Sequence, residues 1–342
     1  MKAAIIERPG ALVIHDLTMP VVGDYEMLCE MLYGATCSGT DLHLIHGRFP
    51  FPVQYPTVLG HESVGRVIAV GAKVRNFACG DLVSRVGTPP VEGLAVNWGG
   101  FAEHGLARDY RAMRDDGLPA AEWSGYRINQ FIPATIDPRA ATMIITWRET
   151  YSYLTRIGVK AGAAVLVVGS GGNGLSFLSH ARNYGAPRIV NVGNAARETH
   201  ARRAGASAYY DYAGANIANT INADFPDGFD LIIDAVGKRS TLDAVLPCLK
   251  PGGIIGIYGV DEYGATQLTP TRARGAFTYA NYGYDEEESH DAIIAHMEQG
   301  RLDAGIWLDL DAAPYALADI NAAFDAVRAR QVVKALVSLS AK

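Results

Sequence analysis

Cysteine is scarce in this 342-residue chain. Its four cysteines, Cys29, Cys37, Cys79 and Cys248, are scattered, with no Cys-x-x-Cys pair among them. That excludes a disulfide framework and an all-cysteine zinc knot. Charge of one sign is also lacking: 30 Lys and Arg stand against 36 Asp and Glu, with no basic stripe. Nucleic acid is therefore not an expected partner. No apolar run approaches the roughly eighteen residues of a membrane span. The opening stretch meets Glu7 and Arg8 too soon for a signal peptide. There is no internal repeat and no low-complexity linker. The length suits two domains, each able to bury its own core. The expectation is a cytoplasmic α/β enzyme acting on a small molecule, with no membrane association.

The clearest pattern lies mid-chain. Ala163–Val168 is a continuous apolar run of strand length, followed at once by Gly169-Ser170-Gly171-Gly172-Asn173-Gly174. Leu175, Phe177, Leu178 and Ala181 then recur at helical spacing. Further strands are expected at Arg188–Val192, Asp230–Asp234 and Gly253–Tyr258, alternating with helices. Apolar strands buried on both faces and separated by helices predict a doubly wound parallel sheet over residues 151–280. Residues 1–150 read as short strands punctuated by Gly and Pro, among them Ser63–Val70. A last strand, Val332–Leu339, needs a sheet to join, and this β-rich region is the natural one. The nucleotide domain is then an insertion into a split first domain.

A Gly-x-Gly-x-x-Gly run between a buried strand and a helix is the context of a dinucleotide site. Gly169 permits the turn, Gly171 admits a pyrophosphate, and Gly174 lets helix pack on strand. Gly172 and Asn173 open the helix, whose free N–H groups suit phosphate. No Lys-Ser/Thr pair follows, so this is not a P-loop. An NAD site would carry Asp or Glu about 20 residues beyond the glycines. Here Gly193 and Asn194 end the second strand, with Arg197 and Arg202 behind them. Without a carboxylate to repel it, a 2′-phosphate is acceptable and an arginine can pair with it. NADP is expected in preference to NAD.

Met1-Lys2-Ala3, Gly39-Thr40-Asp41-Leu42-His43, Gly60-His61-Glu62, Gly80-Asp81, Gly99–Glu103, the Gly169–Gly174 loop, Asp234–Gly237 and Leu249–Gly253 occur in that order. Together they resemble the medium-chain dehydrogenase/reductase family, which includes zinc alcohol, sorbitol, threonine and glucose dehydrogenases. The resemblance spans essentially the whole chain. It implies a GroES-like β domain (residues 1–150 and 281–342) enclosing a Rossmann domain. It further implies that Thr150, Val236, Gly259 and Val260 line the nicotinamide, that Lys334 reaches the pyrophosphate, and that the chain forms a homodimer or homotetramer.

The departure is at the metal. Relatives hold catalytic zinc with a Cys just before Gly-Thr-Asp, the His of Gly-His-Glu, and a Cys or Glu ahead of the nucleotide domain. Here those positions carry Ser38, His61 and Thr146, and Cys37 stands one residue early. Cys37 is expected to point elsewhere unless its loop shifts; bent inward, it would join His61 and Glu62, as would Glu149, in an irregular site. The cysteine lobe for a structural zinc is absent between Asp81 and Gly99. The expectation is therefore neither structural nor catalytic zinc, with Ser38, Thr40, His61, Glu62 and His43 carrying the chemistry. His61 is the acid or base, and Thr40 and His43 form a proton relay, unless Thr40 merely caps a helix beginning at Asp41. Trp98, Trp147, Tyr151 and Tyr153 are candidates for the pocket wall. Residues 114–130 match no family pattern and read as an insertion, with Trp123 and Tyr126 covering a cleft, meeting another subunit, or lying in a surface loop. The function expected is hydride transfer between the cofactor and an alcohol/carbonyl pair, polyols or sugars included. The alternatives are metal-free reduction of activated C=C or C=N bonds, and cofactor binding without catalysis.

Overall fold

The strand Ala164–Val168 has every residue buried, because it lies inside a sheet and not at its edge. A computed structural model describes residues 1–91, 93–262 and 264–340. The chain divides into two units: Met1–Arg148 with Glu286–Lys342, and Glu149–Asp285.

In the second unit, six parallel strands run in the order Ala208–Asp211, Arg188–Gly193, Ala164–Val168, Phe229–Asp234, Leu249–Ile257, Thr278–Ala280. Ala164–Val168 comes first in the chain. Its next strand pairs on one side, and the following crossovers bring Phe229–Asp234 to the other. The order reverses at this strand, which makes its C-terminal end the place where a doubly wound sheet binds ligand. The helix Gly172–Asn183 starts from that end. Leu166, Val190, Phe229, Ile232, Leu246 and Ile255 form the core on one face.

The first unit holds a larger sheet built on the ten-residue strand Glu26–Ala35, which pairs antiparallel with Glu62–Val70, His104–Arg108 and Leu336–Ser338. The C-terminal strand thus finds its partner in the N-terminal β region, as expected of a split domain. A smaller sheet orders Ala11–Asp16, Lys2–Arg8, Thr57–Val58 and Ala95–Val96. The helix Ile320–Arg328 buries Ile320, Ala323, Phe324 and Val327. That spacing gives one apolar stripe, which closes over Met27, Met31, Val67 and Phe101.

Residues 114–130 are not a loose loop. They form the ends of two short helices, Tyr110–Asp115 and Ala120–Trp123, and a turn of 3-10 helix at Ser124–Tyr126. Trp123 stacks on Tyr110 at 6.5 Å, and the Arg108 guanidinium lies 4.1 Å from the Tyr126 ring centre. Arg127 and Tyr110 both bind Glu287. Beneath this segment, Arg148 is fully buried. It pairs with Glu286 at 2.6 Å and donates to Ser84 Oγ and the Ile128 carbonyl. Arg85 binds the other oxygen of Glu286.

His290 sits in this network, donating from Nε2 to the Phe131 carbonyl at 2.8 Å. Burial, with the Arg148 charge adding to it, pushes its pKa down to about 4. The native ring is therefore neutral where the unfolded one is protonated. Stability contributed by His290 is complete above about pH 6.5 and is lost as pH falls toward 4, a change of about 3 kcal/mol. All four tryptophans lie in this unit, so their fluorescence reports its unfolding alone. Urea unfolding followed by tryptophan emission at pH 7 and pH 4.5 should show this loss, and His290→Gln should shrink it. An unchanged difference in the variant would refute the assignment.

Candidate active site

The glycine loop lies within the second unit. Gly171 caps the twelve-residue helix Gly172–Asn183 without using a side chain, so the helix start presents backbone of the kind that suits an anion. A Cβ on Gly174 would lie 2.1 Å from the Gly169 carbonyl oxygen, so the helix sits closer to the strand than any side chain permits. Asn191, which sequence reasoning passed over, is fully buried and donates from Nδ2 to the carbonyls of Val167 and Gly169, bracing the loop from the neighbouring strand. A polar residue in an otherwise apolar buried strand was the available signal.

At the end of that strand the missing carboxylate has a steric reason. A Cβ on Gly193 would lie 2.4 Å from Ser170 Oγ and 2.6 Å from the Tyr209 hydroxyl. The Tyr209 hydroxyl donates to the Asn194 carbonyl at 2.5 Å, and the Asn194 N–H donates to Ser170 Oγ at 3.1 Å. Arg197 is buried behind Asn194. Arg202, the other arginine expected to meet a 2′-phosphate, is instead engaged with Glu198 and the Ser207 carbonyl.

Gly237 and Gly259 lie back to back, since a Cβ on Gly259 would fall 2.1 Å from the Val236 carbonyl carbon. This sets Val236, Gly259 and Val260 side by side just past the ends of adjacent strands. Thr150 shares a hydrogen bond with His180 Nε2 at 3.0 Å, and both residues are fully buried. Of the proposed wall residues, Trp147 and Tyr153 belong to the interior: Trp147 packs edge-on against Trp307, and Tyr153 donates to the Ile257 carbonyl. Tyr151 packs on His180 and Tyr184. Only Trp98 adjoins a chemical group of interest, with its ring 5.4 Å from that of His61.

A separate cluster lies in the first unit. Cys37, His61 and Glu62 present Sγ, imidazole nitrogen and carboxylate oxygen within 4.8 Å of one another, all buried. This corrects the expectation that Cys37 turns away: Cys37 faces inward and Ser38, at the family's ligand position, is exposed. The helix begins at Thr40, one residue before the expected Asp41, and Gly39, not Thr40, is its cap. The first turn presents the Asp41 carboxylate, which accepts from the Cys37 N–H at 2.9 Å, while Thr40 N–H donates to Cys37 Sγ at 3.4 Å. These bonds turn the thiol inward. His43 does not join the cluster; its ring bonds the Gly39 carbonyl.

Asp41 also binds His61 Nδ1 at 3.0 Å, leaving Nε2 to face Cys37 and Glu62, 3.6 Å from Glu62 Oε1. Burial opposes protonation of this ring, but contact with Asp41, reinforced by Cys37, outweighs it and holds the pKa well above the usual imidazole range. Thr146 donates its hydroxyl to Glu62 Oε1 at 2.6 Å. Lys334 also turns inward: its ammonium, 2% exposed, bonds both Glu62 oxygens at 2.6 and 2.5 Å and the Thr36 carbonyl at 3.3 Å. Glu62, Cys37 and Asp41 offset the effect of burial and raise its pKa.

A thiol, an imidazole and a carboxylate converging with a carboxylate behind the imidazole are a donor set suited to zinc. The cluster fits that ion by its chemistry. Thr146 adds no fourth ligand, since hydroxyls are poor ones and this one is spent on Glu62.

Residues 23–118 match the sequence model of the alcohol dehydrogenase GroES-like domain, and residues 172–285 that of the zinc-binding dehydrogenases. The chain is similar to D-arabinitol dehydrogenase 1 of Uromyces fabae, with 24% identity over 98% of this chain and 97% of that one. It is 27% identical to an NADP-dependent isopropanol dehydrogenase of Clostridium beijerinckii, over 73% of this chain and 74% of that one. The crystal structure of 2R,3R-butanediol dehydrogenase from Bacillus subtilis has the same fold, with a TM-score of 0.81, 21% identity, and 98% and 99% of the two chains covered.

The crowding at Gly193 yields a prediction. Gly193→Asp, the change that would ordinarily favour NAD, should weaken binding of NADPH and NADH alike by about tenfold or more, because the new Cβ displaces Ser170 from the loop. Fluorescence titration with each dinucleotide checks this; tighter NADH binding in the variant would refute it.

Proposed function

The chain belongs to the medium-chain dehydrogenase/reductase family of oxidoreductases, and we propose that it transfers a hydride between NADP(H) and an alcohol/carbonyl pair on a polyol or sugar-like substrate. The observation that carries this reading is the convergence of Cys37, His61 and Glu62 in a chain that also bears a complete dinucleotide loop. The polyol specificity is supported by the names of the related dehydrogenases. The preference for NADP is supported by Gly193, where neighbouring atoms leave no room for a carboxylate, and by Arg197 close behind.

Cys37, His61 and Glu62 would hold a zinc ion, which supplies Lewis-acid polarisation of a substrate oxygen. Asp41 fixes the His61 tautomer with Nε2 toward the cluster. The Gly172–Asn183 helix start and the Gly169–Gly174 backbone would hold the pyrophosphate, Val236, Gly259 and Val260 would flank the nicotinamide, and Thr150, backed by His180, would adjoin it. Thr40 stands at the head of its helix as the hydroxyl for proton exchange.

One observation favours a second reading. The position of the family's third ligand carries a hydroxyl, Thr146, already bonded to Glu62. If no metal binds, His61 alone would serve as acid, and an activated C=C or C=N bond would be the more suitable hydride acceptor, since it needs less polarisation of an oxygen.

The test is a panel of carbonyl and enone substrates with NADPH and NADH, run on protein stripped with a chelator and then reloaded with zinc. Carbonyl reduction restored by zinc is expected, with kcat/KM for NADPH exceeding that for NADH by about tenfold or more. Full activity of the stripped protein, on enones in particular, would support the metal-free reading. No turnover on any panel would leave a cofactor-binding protein without catalysis.

A further inference from the structure

We infer that Lys334 sets how tightly the Cys37–His61–Glu62 centre holds a divalent ion, by competing with that ion for the Glu62 carboxylate. The inference rests on the zinc reading above and goes beyond it, because it assigns to one residue the exchangeability of the centre.

A carboxylate offers about four lone-pair positions. On Glu62, Oε1 receives the Lys334 ammonium at 2.6 Å and the Thr146 hydroxyl at 2.6 Å, and Oε2 receives the same ammonium at 2.5 Å. Oε1 is thus doubly occupied, and Oε2 is the oxygen with capacity to spare. An ion drawing on Glu62 must share it with a full positive charge already in contact.

The lysine starts from a fixed backbone, and its ammonium is also held by the Thr36 carbonyl at 3.3 Å. Its own N–H donates to the Trp307 carbonyl at 3.1 Å, and the N–H of Ala335 donates to Thr36 Oγ1 at 2.8 Å, fixing the backbone on both sides of the side chain. Lys334 and Glu62 side chains are each 2% exposed, so water and salt screen the repulsion between ammonium and metal ion very little. In zinc centres a ligating carboxylate is itself hydrogen-bonded, and a neutral donor steadies it without opposing the ion. A buried ammonium opposes it. Cys37 and His61 are then the firm ligands, and Glu62 contributes only part of its charge. The centre is a loosely loaded one, open to exchange.

The test measures zinc affinity directly on the full-length protein after metal removal, by competition with chelators of graded strength and by the absorption of bound cobalt. Lys334→Met should bind zinc roughly tenfold or more tightly than the unaltered chain, since it frees a buried carboxylate that then lacks a cation. The double variant Glu62→Gln/Lys334→Met removes both buried charges and keeps the pair's shape. It should bind zinc within about threefold of the unaltered chain, because Glu62 was nearly neutralised already. If Lys334→Met does not fold, the double variant decides.

Equal or weaker affinity in Lys334→Met, or a loss of about tenfold in the double variant, overturns the inference and leaves the zinc reading standing. Zinc binding by Lys334→Met but not by the unaltered chain supports the inference and overturns that reading.

Discussion

A buried ion pair, Lys334 with Glu62, organises the first unit of this protein. Glu62 begins one central strand of the large sheet, and Lys334 precedes the C-terminal strand Leu336–Ser338 by two residues. Between them lies the strand Glu26–Ala35, bonded to both. The pair therefore fastens three strands at the same end of the sheet, where Thr36 and Cys37 leave the middle one. Separating such a pair by removing one partner costs about 3–5 kcal/mol, because the survivor stays buried and charged. That constraint explains why His61, Cys37 and Thr146 all converge on one carboxylate.

The second unit depends on close approach of backbone rather than on charge. Gly174 lets a helix rest on the strand before it, and Gly193 leaves space that Ser170 and Tyr209 fill with hydroxyls. The chain gives up a carboxylate at the strand end and gains a hydrogen-bonded turn in its place, Tyr209 to Asn194 to Ser170. The strand end is in this way coupled to the packing of the glycine loop, since neither hydroxyl can move without disturbing the loop beside it.

A second buried charge cluster stands where the first unit is interrupted. Arg148 is the last residue before the insertion and Glu286 the first after it, and they form a salt bridge with Arg85 on the same carboxylate. Loop closure over a long insertion costs entropy, and a short-range contact between its two ends recovers part of that cost. Tyr110 and Arg127, at the two ends of the helical segment, bond Glu287 beside this cluster, which gives the unmatched insertion a structural occupation. Its sequence carried no hint of this, because the partner Glu287 lies over 150 residues away.

The sequence alone determined the elements whose signal is local. Continuous apolar runs marked Ala164–Val168 and its neighbours, glycines in a row marked the phosphate loop, and the turn-rich start with its unpaired last strand marked a split β domain. Periodicity and backbone freedom are properties of adjacent residues, so they are visible without a fold. The Cys37–His61–Glu62 cluster was only half legible. His61 and Glu62 stood out, but counting residues placed Ser38, not Cys37, at the ligand position. Only the tertiary structure settled this, because which side chain faces inward depends on Asp41 accepting from the Cys37 N–H at the head of a short helix. The same holds for Lys334, whose direction is decided by a carboxylate 272 residues away. Hydrogen bonds and ion pairs between distant residues leave no periodic trace in the chain, so the chemistry of this site belongs to the fold.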